Sequence, residues 1–334
     1  MRIVVYSAYW CVLGGGENHF GKLIEILSQK NSVEIIYNGK DYLPAVEERF
    51  GLNFRRCRKI RMAVGNFSHA SSVADLFLCY SHHIDIVPRG KKNVMFCTIP
   101  WMKYPHIRDY DFVIANSKFT KTFLAQNELK VKILYPHISK EYMPDVKKNV
   151  ILSVGRFNRD LHCKNQVEMI KVFRATGIRN WSLCIAGGAG FPAEKRLFED
   201  CERMKNQAKN VLLEKNLPHH AIVIRNGQAK LYWHATGFGE MQPEKAEHCG
   251  MAVLEAMASG CVPLVVDKGE PPNLVGYKDQ VWGSWGELIK KTLWWIKNPR
   301  LLRLRSEKMV KRSEKFSEKV FEREVWRIFD GKDR

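Results

Sequence analysis

The chain has 334 residues, 45% hydrophobic and 27% charged, which is long enough for two domains with separate cores and ordinary for a globular protein. Its 54 basic against 35 acidic residues leave a net charge of +19, which implies an anionic partner (membrane surface, nucleic acid or phosphorylated substrate) or a heavily solvated basic surface. No apolar run reaches the ~18 residues needed to span a bilayer, and the nine cysteines show neither a CxxC pair nor zinc spacing, so reduced thiols in a cytosolic protein are expected.

RIVVYS is a short apolar run that leads through AYWCVLGGGE into a helix, marked by Phe20, Leu23, Ile24 and Leu27 at i, i+3, i+4, i+7. The stretch from Ile3 to Leu13 could pass for a signal-peptide core. A single arginine precedes it, however, and GGGE follows in place of a small-residue cleavage site, so a strand and loop are expected. VEIIY, DLFLCY, NVMFC, DFVIA and VKILY are further strand candidates with polar or helical connections, the pattern of a parallel sheet covered by helices. The polar, proline-containing segment from His137 to Lys148 interrupts it and is the expected hinge.

The pattern then restarts. VILSV reads as a strand, Asn165 to Ala175 as a helix, WSLCIAGG as a strand, Ala193 to Lys215 as a long charged helix, and AIVIRNG as another strand. Met251, Leu254, Met257 and Ala258 predict a helix beginning near Gly250, which Gly260 stops before the buried strand CVPLVV. Ile289, Leu293 and Ile296 mark a helix over Trp285 to Lys297, and Phe321, Val325 and Ile328 one in the basic tail. The fold class expected is α/β, with two Rossmann-like domains: 1–145, 146–315, and a final segment 316–334 crossing back to the first. Ligands of such sheets bind beyond the carboxyl ends of the strands.

Several motifs lie at such ends. Gly14-Gly15-Gly16-Glu17 would let a phosphate or sugar approach the backbone, and serves equally as a flexible turn. In VGRFNRDLHCKNQ, Arg156 and Lys164 flank a helix start and could reach one diphosphate, though each could be a solvated charge. In PEKAEHCGMAVLEAMASGCVP, Glu247 and Glu255 are separated by seven residues, with a helix start between them whose free N–H groups favour an anion. Asp109-Tyr110-Asp111 has the form of a metal-binding DxD but directly precedes FVIANS, so it is taken as the lead-in to a strand, and no essential metal is expected. The paired histidines His82-His83 and His219-His220, with His248, lack a ligand set for metal. Over 49–62, Arg49, Arg55, Arg56, Arg58, Lys59 and Arg61 surround Leu52, Phe54, Ile60 and Met62, which suits anionic headgroups or a solvated loop. No nucleic-acid motif is recognised.

Taken together and in order, GGGE, DFVIANSKFTKTFL, VGRF...KNQ and EHCGMAVLEAMASGCVP resemble the retaining GT-B glycosyltransferases of family 4, also called group 1, over nearly the whole chain. WHATGF...PEKAEHCG is most similar to the members that add mannose to dolichol-linked oligosaccharide. The resemblance implies that Glu247 contacts the donor sugar opposite the leaving group and that Arg156 and Lys164 stabilise the departing nucleoside diphosphate. It also implies that Glu255 holds the ribose hydroxyls, while backbone groups of His248, Cys249, Gly250 and Met251 bind sugar and phosphate. Gly15, Gly16 and Arg225 join the donor side, and Gly14 and Thr98 the acceptor or sugar side. The co-substrate implied is a nucleotide sugar, GDP-mannose first and UDP-glucose or UDP-N-acetylglucosamine second. The acceptor would be a glycan or lipid-linked, with neither cofactor nor metal, at the cytosolic face of a membrane or in the cytoplasm.

Three departures stand out: Thr98 where that subfamily has histidine, Cys249 in EHCG where it has a ring, and Asn273 in GEPPN where a glutamate is usual. Two other classes stay open on the residues alone. A glycoside hydrolase would use Glu247 and Glu255 as acid and nucleophile, and a non-catalytic sugar- or nucleic-acid-binding protein would have kept the fold.

Overall fold

The computed structural model describes residues 1–82, 86–100, 106–124, 130–159, 162–206 and 208–330. The chain forms two compact units, Met1–His137 with Lys319–Arg334, and Ile138–Glu318.

The first unit contains β1 (Arg2–Ser7), α1 (Gly15–Leu27), β2 (Ser32–Tyr37), α2 (Leu43–Phe50), β3 (Cys57–Arg61), α3 (Phe67–Ser71), β4 (Leu76–Tyr80), β5 (Asn93–Cys97), β6 (Phe112–Ala115), α4 (Lys118–Leu124) and β7 (Val131–Ile133). The second has β8 (Lys148–Val154), α5 (Gln166–Ala175), β9 (Ser182–Gly187), α6 (Pro192–Lys205), β10 (Val211–Lys215), α7 (His219–Gln228), β11 (Ala229–His234), α8 (Met251–Ala258), β12 (Val262–Val266), α9 (Pro271–Val275), β13 (Val281–Trp282), α10 (Trp285–Lys297) and α11 (Pro299–Ser313). The last helix, α12 (Glu318–Phe329), returns to the first unit, where Phe321, Val325 and Ile328 join a core with Phe20, Leu23 and Phe96.

Both sheets are wholly parallel. The first runs β3-β2-β1-β4-β5-β6-β7 and the second β10-β9-β8-β11-β12-β13. Strand order therefore reverses between β1 and β4, and again between β8 and β11, the points where such sheets open a crevice at the strand ends.

Four expectations are corrected. AIVIRNG is not a strand but lies in α7, begun at Pro218, whose carbonyl accepts the N–H groups of Ala221 and Ile222. Ala193 to Lys215 is not one helix: α6 stops at Lys205, and Val211–Lys215 pairs with β9 as the edge strand β10. The expected break after residue 145 falls after His137 instead. Ile138 donates to Phe316 O at 2.8 Å, and Asp145 donates to Gly227 O at 3.1 Å, which ties 138–145 into the second unit. Finally, 49–62 does not offer its apolar residues outward. Leu52 and Phe54 enter the core beneath α1, and Ile60 and Met62 are half-buried against the other face of the sheet. Arg55, Arg56 and Arg58 remain exposed, the last on the edge strand β3, where charge discourages strand-to-strand association.

Candidate functional site

In the second unit the site is built at the carboxyl ends of β8 and β11. Here β8 and β9 come so close that a Cβ on Gly187 would stand 1.9 Å from Gly155 O, so only glycine fits. The chain then turns through Arg156 and returns at Lys164, whose aliphatic stem packs over Gly155. Asn165 takes a positive φ of 57° and donates its side-chain amide to Ala235 O at 2.8 Å, which fixes the start of α5 beside the end of β11.

Glu247 is held from three sides. Lys164 Nζ donates to its Oε2 at 2.6 Å, and His234 Nε2 approaches the same oxygen at 3.4 Å. Behind it, Glu270 N donates to Glu247 O at 2.9 Å, and a Cβ on Gly269 would meet that carbonyl at 2.3 Å. Burial pushes the Glu247 carboxyl up, but the Lys164 ammonium, and then the hydrogen bond from His234, outweigh it and hold the group well below the usual carboxylate range. Burial lowers the pKa of both His234 and His162, so each is neutral near pH 7. With its Nε2–H aimed at Glu247, His234 leaves a buried Nδ1 without a partner among the described residues.

Gly250 precedes α8 with φ +82°, a left-handed turn that glycine takes without strain, and its carbonyl accepts from Val253 and Leu254. Met251 opens the helix, so the unpaired N–H groups of its first turn lie four residues beyond Glu247. His248 is buried, with Nε2 3.0 Å from Glu244 O, and its ring meets His162 edge-on. The Cys249 thiol is buried and pushed up by burial, then by Glu270 and Glu247, so this position offers its backbone and not a reactive thiolate. One helical stretch further, Glu255 is raised to about 7 by burial, with the Tyr142 hydroxyl pulling it down. Tyr232, whose hydroxyl exchanges hydrogen bonds with Val154, feels the charge of both Glu255 and Glu247.

Lys164, Glu247, Gly250 and Met251 are thus brought together. Arg156 sits exposed at the end of β8 with no ion-pair partner among the described residues, its main-chain carbonyl accepting from Gln166 at 3.0 Å. Arg225 is not part of the group. It forms a two-pronged pair with Glu214 of the edge strand β10, and the Cys184 thiol donates to the same carboxylate. His234 and His162 lie inside the motifs WHATGF and VGRFNRDLHCKNQ, but the sequence assigns neither a role.

In the first unit, Gly14 N donates to Glu17 Oε2 at 2.7 Å, and Gly15 and Gly16 open α1. A Cβ on Gly16 would lie 2.3 Å from the Tyr80 hydroxyl, which instead reaches Thr98 Oγ1 at 3.0 Å. Burial and the charge of Glu17 push the Tyr80 phenol well up. Gly16 and Thr98 therefore meet through a tyrosine that the sequence did not single out. Asp109 pairs with His106, while Asp111 accepts from Asn93 N at the start of β5, so the two carboxylates serve different partners. His219 pairs with Glu141, and His83 lies outside the described residues. Among the described residues no three His, Cys, Asp or Glu side chains converge to hold a metal ion.

The sequence profile described as Glycosyl transferases group 1 matches residues 136–316. Human alpha-1,3/1,6-mannosyltransferase ALG2 is 24% identical over 289 residues, 75% of this chain and 66% of that protein. The GDP-Man:Man(3)GlcNAc(2)-PP-Dol alpha-1,2-mannosyltransferase of Caenorhabditis elegans is 28% identical over 204 residues, 53% of this chain and 39% of that protein. The chain thus spans less than two thirds of the length of either relative. Among solved structures, Anabaena HepE in complex with UDP and glucose superposes with a TM-score of 0.74 at 13% identity, covering 99% of this chain and 100% of that one. A glycosyltransferase from Rickettsia africae gives 0.75 at 14% identity, covering 100% and 99%. The two parallel sheets are those of the GT-B fold. Because the matched region spans more than half of the chain and carries Lys164, Glu247 and Glu255, the chain belongs to the glycosyl transferases group 1.

Proposed function

We propose that this protein transfers a hexose, mannose in the first instance, from a nucleoside-diphosphate sugar to a glycan or lipid-linked acceptor, with retention and without a metal. The observation that carries the proposal is the Lys164–Glu247–His234 cluster at the head of α8. Glycosyl transfer develops positive charge on the sugar and negative charge on the departing diphosphate. An ionised Glu247 faces the first requirement. Lys164, with three N–H donors of which one goes to Glu247, and Arg156, with its guanidinium exposed, meet the second, together with the N–H groups that begin α8. In this reading the departing phosphate accepts the acceptor's proton, so no separate general base is needed. A hydrolase working with two carboxylates is less well supported, since hydrolysis has no need of the cations Lys164, bonded to Glu247, and Arg156, exposed at the end of β8.

Mannose is favoured by the two mannosyltransferase relatives. The hydroxyl pair Thr98–Tyr80 stands where the mannose-adding members have a histidine, and UDP-glucose is therefore kept as the second reading. Any contact with an anionic membrane would run through Arg55, Arg56 and Arg58 by charge alone, since Leu52 and Phe54 are buried.

The test is a thermal-shift panel with GDP, UDP, ADP and their sugars, followed by transfer assays with and without EDTA. One diphosphate should raise the melting temperature by mass action. Glu247→Gln should then abolish most transfer while retaining nucleotide binding. No shift with any nucleotide, or unchanged turnover in the variant, overturns the proposal.

A further inference from the structure

At the opposite end of the second sheet lies a cavity of about 460 Å³, within the size range of small-molecule sites. It opens where β8, β9 and β11 begin. Seven residues of β8, at about 3.3 Å each, place it roughly 20 Å from Gly155 and Arg156, where that strand ends. One wall is apolar: Trp181 and Leu302 are buried, and Ile296 is half-buried. The other carries Lys147, Lys230 and Arg303, and no Asp or Glu lines the space.

The lysine at its floor makes the case. Lys147 Nζ donates to Ala229 O at 2.8 Å and Ser259 O at 2.5 Å, which satisfies two of its three N–H donors but neutralises no charge. Desolvation makes such an ammonium costly without a counter-ion, and burial lowers its pKa. Asp145 acts on it by charge, against the larger effect of burial, but forms no ion pair with it, and its oxygens accept from Val146 N and the Gln228 amide. Lys230 donates to the side-chain oxygen Oδ1 of Asn149 at 2.6 Å and stands over the Trp181 ring at 5.7 Å. Among the described residues none of the three cations has a carboxylate partner.

We infer that this cavity is a second binding site, separate from the Glu247 cluster, for a small anionic amphiphile. Its carboxylate, sulfonate or phosphate head meets Lys147, Lys230 and Arg303, and its apolar body lies against Trp181, Ile296 and Leu302. The anion is the direct ion-pair partner that Lys147 lacks among the described residues, and the flat apolar wall requires more of the ligand than a bare ion.

Isothermal titration of the full chain with 2-naphthoate, and with neutral 2-naphthamide as its isostere, tests the assignment. The acid should bind at least tenfold more tightly than the amide. The double variant Lys230→Gln/Arg303→Gln, at one half-buried and one exposed position, should weaken 2-naphthoate at least fivefold while keeping the cooperative unfolding of the wild type. Lys147→Met should weaken it further if it folds, and the double variant decides alone if it does not. Saturating GDP or UDP should leave the 2-naphthoate isotherm unchanged. Equal affinity for acid and amide, no effect in the double variant, displacement by nucleotide, or no binding at millimolar concentration each overturns the inference. None of these readouts depends on glycosyl transfer.

Discussion

Replacing Glu255 by glutamine should stabilise the second unit at neutral and alkaline pH and leave it unchanged in acid. The Glu255 carboxyl is raised from an ordinary value near 4.5 to about 7, chiefly by burial. Below pH 4.5 the group is protonated in folded and unfolded chains alike. Between 4.5 and 7 the folded state keeps a proton that the unfolded state has released, so stability falls as pH rises through that window. Above 7 the carboxylate is ionised in both states, and its full burial cost is carried. At about 1.4 kcal/mol per pH unit this amounts to about 3 kcal/mol, or roughly 6–12 °C in melting temperature for a unit of this size. Glutamine keeps the shape and does not titrate. Melting curves by circular dichroism at pH 4.5, 6, 7 and 8 should meet at the acid end and separate progressively above it. A constant offset between variant and wild type, or none, would refute the reasoning. If Glu255 also holds the ribose, as proposed, the stabilised variant should bind nucleotide more weakly at every pH.

Two further outcomes are expected. Gly187→Ala must push β8 and β9 apart at their ends, because the added carbon would sit 1.9 Å from a main-chain oxygen; a loss on the order of 3 kcal/mol or more in urea unfolding is expected, and a wild-type midpoint would contradict the packing. His137 has the opposite sign to Glu255: burial, with Lys22 adding to it, lowers its imidazole to about 4, so the stability it contributes is present above pH 6.5 and lost as pH falls through about 4. His137→Leu should flatten that acid loss in the first unit, and a variant with the same slope between pH 6.5 and 4 would exclude the assignment.

The motifs that announced the family are short-range patterns, and each is legible by itself. Their meeting is not. Lys164 and Glu247 are 83 residues apart, and nothing in either motif says that one will bond to the other. His234 belongs to the WHATGF motif, but at the end of a run of large apolar residues it reads as the close of a strand and not as a partner for Glu247. Ile222, Val223 and Ile224 form a β-branched run, yet Pro218 sets a helix start ahead of them, and Ile224 is left exposed. That misreading had a cost downstream. With Val211–Lys215 read as helix, Glu214 has no strand to sit on, and its pairing with Arg225 is not legible in the sequence. Around Leu52 and Phe54 the dense arginines masked an ordinary alternation of buried and exposed positions.

The return of α12 to the first unit bears on the order in which the protein can be assembled on the ribosome. The hydrophobic floor of that unit, with Phe20 and Phe96, is not closed until Phe321 and its neighbours have been made, and the whole of Ile138–Glu318 is translated in between. At the usual 5–20 residues per second this is a wait of roughly 10–35 s between the last strand of the first unit and the helix that completes its core. A nascent chain paused in that interval exposes apolar surface on its amino-terminal half, and there it would be met by chaperones.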